Sequence, residues 1–263
     1  MNLFDSHCHI DDRLFDNDRD EVIIRAKQEN VQKLMIAGIN IQRITNTLKL
    51  VQKYDNIYAS VGIHPHEAKN YSEDDFLFLK NIAQKEQIIK AWGEIGLDFN
   101  RMFSPQKAQE NSFIRQMEIA DSLDLPLIFH ERDTKGKFLD ILKYYKNDKR
   151  TGVVHCFSGN RKELKAYLDL GYYIGITGIL TVHKRGEELR NHISYIPSNK
   201  LLIETDAPYL VPAPQRNKTR RNEPAFLKST FLKLAEIKNE KPDSLSKTLW
   251  NNTCSLFKIN MIA

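Results

Sequence analysis

Short apolar segments rich in β-branched residues alternate with amphipathic segments along the chain, and this alternation restricts the fold more than any other feature. Eight segments are predicted as strands: 2–9, 33–38, 57–64, 88–97, 126–130, 152–156, 172–177 and 201–206. Helical periodicity lies between them, at 18–29, 41–54, 72–85, 105–123, 135–145, 161–170 and 186–193. Two more helices are predicted after the last strand, at 224–238 and 243–257. Ser104 before Pro105 predicts an N-cap followed by a proline at the first helical position.

Eight strand–helix units in about 250 residues are typical of a (β/α)8 TIM barrel. We therefore predict an α/β protein of this class, with extra C-terminal helices. A doubly wound parallel sheet also alternates strands with helices and stays open as an alternative. No stretch rich in Pro, Gly and Ser divides the chain, so residues 1–263 are predicted to form a single domain.

Composition excludes several classes of protein. No apolar run reaches the roughly 20 residues of a membrane-spanning helix, and the first residues reach an acid at Asp5 without a secretion signal. We therefore expect a cytoplasmic protein that does not contact membranes, and a monomer because no surplus apolar stripe is evident. The three cysteines lack Cys-x-x-Cys spacing and cannot form a disulfide framework. The net charge of +5 is compatible with an anionic substrate but does not require one.

Ionisable residues collect at the predicted C-terminal ends of the strands. They are His7, His9, His64, Glu94, His130, His155 and Asp206. In a parallel barrel these ends meet at one face, where the loops build the active site. Residues more than a hundred positions apart are therefore predicted to share one pocket.

The spacing of His7 and His9 places both imidazoles on one face of the first strand, with Cys8 on the other. The two rings could chelate one cation, although an isolated pair of this kind can also be exposed or hydrogen-bonded. Glu94 ends a strand filled with apolar residues, and a buried carboxylate needs a cation or several hydrogen-bond donors. A salt bridge is the alternative explanation for Glu94.

His130 and His155 each end an apolar run, and Glu204 and Asp206 share one face of the last strand, with Asp206 further out. The inventory of candidate ligands is thus His7, His9, Glu94, His130, His155 and Asp206. This set exceeds what one catalytic ion takes from a protein, so it favours two divalent ions, such as Mg, Mn or Zn, sharing a carboxylate. Two such metals are suited to hydrolysis of oxygen-rich substrates. No Gly-x-Gly-x-x-Gly motif or P-loop is present.

Several short motifs resemble those of the TatD family of metal-dependent hydrolases, which are amidohydrolase-like TIM barrels. The motifs are Asp5-Ser-His-Cys-His, Gly62-Ile-His-Pro-His, Gly93-Glu-Ile-Gly-Leu-Asp, His155-Cys-Phe-Ser-Gly, Glu204-Thr-Asp-Ala-Pro and Arg221-Asn-Glu-Pro. They occur in the family's order and cover nearly the whole chain. The resemblance implies Mg-dependent deoxyribonuclease activity. It also implies that His7, His9 and Asp206 bind one ion, that His130 and His155 bind the second, and that Glu94 bridges them.

The resulting hypothesis is a metal-dependent deoxyribonuclease in which a hydroxide activated by two metals attacks the phosphodiester. Asp206 and Glu94 are its predicted catalytic residues, and Asp206 is the candidate base. His64 is predicted to contact the scissile phosphate, Glu204 to orient a ligand histidine, and Asp98 is a weaker candidate of that kind. Arg216, Lys218, Arg220 and Arg221 follow the last strand and could bind phosphates, with Arg221 matching the family's motif. His66, His183 and His192 are expected in loops or on helix surfaces.

Three functions are compatible with these residues. The leading one is hydrolysis of DNA, as single strands or ends, because a barrel mouth is a pocket; the resemblance suggests 3′-to-5′ exonuclease polarity. A hydrolase of the same barrel type could instead cleave an ester, lactone or amide bond, including the aminoacyl ester of tRNA. A non-catalytic nucleic-acid-binding barrel is the third possibility, and the complete ligand set argues against it.

Overall fold

A computed structural model describes residues 1–260. Eight parallel strands form one sheet in sequential order, with each strand paired to the next. They are β1 (Leu3–Cys8), β2 (Val31–Ile36), β3 (Ile57–Val61), β4 (Ile89–Asp98), β5 (Leu127–Arg132), β6 (Gly152–Val154), β7 (Tyr173–Ile176) and β8 (Leu201–Ile203). The first and last strands meet where Ser6 Oγ donates a hydrogen bond to Ile203 O at 3.0 Å and Asp206 N donates to His7 O at 2.9 Å. The prediction of a (β/α)8 barrel is confirmed, and the doubly wound alternative is wrong.

Helices connect the strands and surround the sheet. They are α1 (Arg19–Gln28), α2 (Ile41–Lys53), α3 (Glu73–Lys85), α4 (Gln106–Leu123), α5 (Lys137–Tyr144), α6 (Arg161–Asp169), α7 (Glu187–Ile193), α8 (Leu227–Lys238) and α9 (Pro242–Leu256). None of the described helices combines the length and apolarity needed to cross a bilayer. The predicted N-cap of α4 is wrong by one residue, because Pro105 is the cap. Ser104 Oγ instead donates to His66 O, which ties two loops together.

Two apolar clusters hold the barrel together. The larger one lies between the strands and the surrounding helices. The smaller one takes one side chain from each of six strands: Phe4, Met35, Ala91, Ile128, Val153 and Leu202. Side chains from strands on all sides can meet only inside the barrel, so this cluster is its interior. Trp250 and Cys254 of α9 and the following Phe257 pack on the same cluster, which places α9 against one opening of the barrel.

Several predicted strands end earlier than the sequence suggested. The predicted segments 57–64, 152–156 and 201–206 shorten to Ile57–Val61, Gly152–Val154 and Leu201–Ile203. The backbone turns away from the sheet there, with left-handed φ values of 48° at Cys156 and 57° at Asp206. His64, His155 and Asp206 therefore lie on loops just beyond the strands, at the mouth of the barrel.

Candidate metal centre at the mouth of the barrel

The fold brings all six predicted metal ligands together at this mouth. His7 and His9 come from the end of β1, and their Nε2 atoms are 3.4 Å apart. Asp206 comes from beyond β8, and its Oδ1 lies 3.3 Å from His9 Nε2 and 3.7 Å from His7 Nε2. Cys8 points the other way and is fully buried in the larger apolar cluster, as the spacing of the two histidines predicted.

Glu94 occupies the centre, and its two carboxylate oxygens face different histidines. Oε2 lies 3.3 Å from His7 Nε2 and 3.9 Å from His9 Nε2. Oε1 lies 2.5 Å from His130 Nδ1 and 3.5 Å from His155 Nε2. The residue is only 3% exposed. One carboxylate therefore separates two groups of ligand atoms and can contact a cation in each.

The backbone around Glu94 allows this central position. Gly96 has φ +143°, a value that favours glycine, and a Cβ at this residue would lie 2.0 Å from His130 O. The register of β4 against β5 also shifts between Gly93 and Ile95. Because Gly96 carries no side chain, β4 and β5 can approach closely, which brings Glu94 within reach of His130.

In two of the histidines, the ring nitrogen that faces away from Glu94 lies near a buried carboxylate. His155 Nδ1 lies 2.9 Å from Glu204 Oε1, and the Glu204 side chain has no exposed surface. His130 Nε2 lies 3.5 Å from Asp98 Oδ2. The same Asp98 oxygen is 2.6 Å from His66 Nε2. The sequence predicted that Glu204 and, less strongly, Asp98 orient a ligand histidine. Their positions allow Glu204 to orient the ring of His155 and Asp98 to orient the ring of His130.

His64 lies beside Glu94 but differs from the other histidines in its hydrogen bonding. Its Nδ1 accepts the backbone N–H of His66 at 3.1 Å, so a neutral ring carries its proton on Nε2. This Nε2 lies 3.5 Å from Glu94 Oε1. Burial lowers the pKa of His64 to about 4, which keeps the ring neutral at pH 7. His64 is thus built to donate a hydrogen bond into the pocket.

The buried carboxylates and imidazoles of the centre shift one another's pKa values. Burial opposes the charge on Glu94, but His155, His64 and His7 outweigh it and hold the pKa of Glu94 well below its usual range. Burial likewise opposes charge on His155, but Glu204 and Glu94 raise its pKa to about 10. For His130, the neighbouring carboxylates of Asp98 and Glu94 overcome burial and raise the pKa to about 9. In the absence of metal, protons on His130 and His155 balance the buried acids.

The donor atoms fit divalent metal ions. Within each of three sets, the ligand atoms lie within 4.8 Å of one another: His7, His9 and Glu94; His64, Glu94 and His130; and His7, His155 and Glu204. Glu94 belongs to two of the three sets. Imidazole nitrogens with carboxylate oxygens are suited to Zn and Mn and, where water completes the shell, to Mg. A cation would also replace the protons that otherwise balance these acids.

Arg221 does not join this centre. Its guanidinium binds both oxygens of Asp18, at 2.7 and 2.6 Å, donates to Leu14 O at 2.8 Å and lies over the ring of Phe15. Arg221 is also absent from the side chains that line the pocket. Its charge already has a partner within the protein, so its contact with substrate stays a prediction from the motif.

The pocket around the centre has a volume of about 840 Å³ and contains side chains that no sequence pattern indicated. Its walls include three arginines, Arg101, Arg132 and Arg185, and two exposed aromatic rings, Phe103 and Tyr209. None of the three arginines forms an ion pair within residues 1–260. Arg132 ends β5 while Arg101 and Arg185 lie on loops after β4 and β7, and no local pattern marks the three as neighbours.

The three histidines without a predicted role lie in different environments. His66 lines the pocket and contacts Asp98, and its ring packs edge-on against Phe103. His183 is exposed, as expected. His192 is buried in α7 rather than on its surface. Only the Gly62-Ile-His-Pro-His motif could have drawn attention to His66.

Comparison with known proteins identifies the family of this chain. The family model described as TatD related DNase matches residues 4–258. A protein of Salmonella typhimurium named 3′-5′ ssDNA/RNA exonuclease TatD is 38% identical over 98% of this chain and 99% of its own length. A Bacillus subtilis protein named uncharacterized metal-dependent hydrolase YabD is 34% identical over 98% of this chain and its full length.

Solved structures show the same relationship. The crystal structure of YjjV, a TatD homologue from Escherichia coli K12, superimposes with a TM-score of 0.90 at 31% identity and covers 98% of both chains. The family match, the identity over nearly full length and the shared architecture are mutually consistent. The chain belongs to the TatD-related DNase family.

Proposed function

We propose that this protein is a metal-dependent exonuclease that hydrolyses phosphodiester bonds at the ends of single-stranded nucleic acid, with DNA as a substrate. The observation that carries the proposal is the division of the two Glu94 oxygens between His7 and His9 on one side and His130 and His155 on the other. A Salmonella typhimurium relative is named a 3′-5′ ssDNA/RNA exonuclease, and this supports both the substrate class and the polarity.

In the proposed centre, His7, His9 and Asp206 would hold one divalent ion, His130 and His155 would hold a second, and Glu94 would contribute to both sites. Ions held in this way lower the pKa of water and neutralise charge that develops on phosphoryl oxygens. Glu204 and Asp98 keep the rings of His155 and His130 aligned. Mg, Mn and Zn all suit these ligands.

Asp206 is the proposed general base. Its Oδ1 faces His9 and His7, while Oδ2 has no hydrogen-bond partner among the described residues, and the side chain is 14% exposed at the pocket. Burial opposes its charge, but the hydrogen bond with His9 and the charges of His155, His9 and His7 together outweigh burial and lower the pKa of Asp206 below its usual value. Asp206 is therefore ionised at neutral pH and can accept a proton from the attacking water through Oδ2.

His64 is the proposed hydrogen-bond donor to the substrate. Its Nε2 carries the proton because Nδ1 accepts the backbone N–H of His66. A neutral N–H in a buried position can donate to a phosphoryl oxygen without adding another charge to a crowded cationic centre. This agrees with the contact to the scissile phosphate predicted from sequence.

The walls of the pocket suit a nucleotide chain. Arg101, Arg132 and Arg185 can bind phosphates, and the exposed rings of Phe103 and Tyr209 can stack on unpaired bases. Hydrolysis of a simple ester or lactone would need neither the arginines nor the aromatic rings. These walls and the nuclease names of the relatives favour a nuclease over the other hydrolase and over a non-catalytic barrel.

The test is an assay of chelator-treated protein reloaded with Mg, Mn or Zn. A single-stranded oligonucleotide labelled at its 5′ end should be shortened stepwise from the 3′ end only after metal is added. A neutral aryl ester and an aminoacyl-tRNA serve as alternative substrates. Metal binding with hydrolysis of the ester and none of the oligonucleotide would contradict the proposal, and so would oligonucleotide cleavage that persists in excess chelator.

A further inference from the structure

Charged side chains are distributed unevenly around the rim of the pocket at the candidate metal centre, which we call the main pocket. Next to the pocket lies a smaller depression of about 210 Å³, which shares Arg185 and Leu210 with it. We call it the cationic groove; it is lined by Arg185, Arg216 and Arg220 together with Val182, Leu210 and Val211. No carboxylate lines it within residues 1–260.

A second depression leaves the pocket in another direction and is lined by charges of both signs. It shares Arg132 and Arg185 with the pocket. We call it the acidic groove, because its four carboxylates, Glu131, Asp133, Glu163 and Glu188, outnumber its three cations, Arg132, Lys135 and Arg185. The carboxylates would oppose a polyanion there, whereas the phosphates of a polyanion would meet only cations over the cationic groove.

The arginines of the cationic groove are not occupied by other parts of the protein. Among the described residues, Arg185, Arg216 and Arg220 form no ion pair, and all three are exposed. Arg221, the next residue along the chain, differs because Asp18 binds it. Unpaired arginines grouped on an exposed surface are suited to phosphates supplied from outside.

The loop that carries Arg216 is held in place. Ala213 N donates to Thr181 Oγ1 at 2.8 Å, and Arg216 N donates to Pro212 O at 2.9 Å. Gln215 and Ser229 exchange side-chain hydrogen bonds at 2.8 and 3.1 Å. These contacts fix the loop after β8 against the loop after β7, so that the groove is formed before any ligand binds.

We propose that a single-stranded nucleic acid whose terminal phosphodiester lies in the main pocket leaves the enzyme over the cationic groove, with backbone phosphates on Arg185, Arg216 and Arg220. The strand does not run over the acidic groove. This inference rests on the proposed function and adds the path of the uncleaved strand to it. Arg185 lines the main pocket and both grooves, so the strand passes it on leaving the pocket, and Arg216 and Arg220 direct the strand into the cationic groove.

The test compares a dinucleotide with a strand of about 12 nucleotides, using the metal-loaded enzyme. The double variant Arg216→Gln/Arg220→Gln should lower the ratio of kcat/KM for the long strand to that for the dinucleotide by about tenfold, since two phosphate contacts are lost. The dependence of long-strand binding on salt should also become less steep, by roughly 0.7 per lost contact.

Two control variants separate this path from general charge effects. Lys143→Gln/Lys149→Gln removes the same charge from exposed positions in and after α5 that form no ion pair in the described chain, and should leave the ratio unchanged. Lys135→Gln removes a cation from the acidic groove and should also leave the ratio unchanged.

An unchanged ratio in the arginine variant, or a lower ratio in Lys135→Gln, would overturn the proposed path of the strand while the nuclease proposal stands. Wild-type protein that cleaves neither substrate would overturn both.

Discussion

His155 Nδ1 and Glu204 Oε1 lie 2.9 Å apart at a fully buried position behind the metal centre. Glu204 Oε1 also accepts the backbone N–H of Cys156 at 2.6 Å, and its carboxylate packs so closely on Gly175 that a Cβ there would lie 2.7 Å away. The carboxylate therefore has little freedom to move. It directs His155 so that the other ring nitrogen points at Glu94.

Replacing Glu204 with Gln should weaken metal binding while the fold persists. Gln has nearly the same shape and can still accept the Cys156 N–H, but it no longer carries the charge that aligns His155. Loss of such an orienting acid typically lowers metal affinity by about 10–100-fold. Titration calorimetry with Mn would measure this loss, with the exposed Glu188→Gln as control. Equal affinities in the two variants would show that Glu204 does not position the ligand.

Replacing Asp206 with Asn should lower kcat on single-stranded DNA by at least about 100-fold, because the general base is lost. Asp206 has φ +57°, and Asn tolerates this left-handed conformation well, so the variant should remain folded. Circular dichroism and thermal melting would verify the fold before the assay. Wild-type turnover in a folded variant would exclude Asp206 as the base.

Replacing His64 with Asn should reduce kcat by about 100-fold with little change in metal affinity, because a donor to the phosphoryl oxygen is lost and a ligand is not. The Asn oxygen can still accept the His66 backbone N–H that His64 accepts now. Steady-state kinetics and a metal titration on the same preparation would provide both quantities. A large fall in metal affinity would instead identify His64 as a ligand.

The metal-free protein should lose stability as pH rises from about 7 towards 10. His130 and His155 have folded pKa values of about 9 and about 10, against 6.5 for the free side chain. Groups with a raised folded pKa stabilise fully below pH 6.5, and that contribution disappears as pH passes through the folded value. Thermal melting across this range should show a falling midpoint, and excess metal should reduce the fall. The exposed His183→Gln should behave like the wild type.

Replacing Gln116 with Met should destabilise the fold. Gln116 is 1% exposed and joins α4 to the end of β3: Oε1 accepts Ile63 N at 2.8 Å and Trp92 Nε1 at 3.1 Å, and Nε2 donates to Ile63 O at 3.0 Å. Met fills the space but leaves these groups unpaired, at a cost of about 1–3 kcal/mol for each. Urea unfolding would measure the change, with the exposed Gln106→Met in the same helix as control. Equal midpoints for the two variants would contradict this assignment.

The barrel could be predicted from sequence because the hydrophobic pattern of each strand and helix repeats within a few residues. The two-residue repeat of a strand also places the side chains of His7 and His9 on one face. Parallel strands that close into a barrel place their C-terminal ends on one face, so the position of His130 and His155 at one rim was predictable without knowledge of any distance. The motif resemblance then indicated the family.

Other features depended on contacts between distant segments. Arg221 matched a motif, yet its partner Asp18 lies about two hundred residues away in sequence, and only the folded chain brings them together. Arg132 and Arg185 line one pocket because β5 and β7 end at the same rim. Sequence alone determined which ionisable side chains reach the C-terminal rim of the barrel and which chemistry they can perform. Tertiary structure decided which charges meet and which stay free, because electrostatic pairing depends on distance in space and not on separation along the chain.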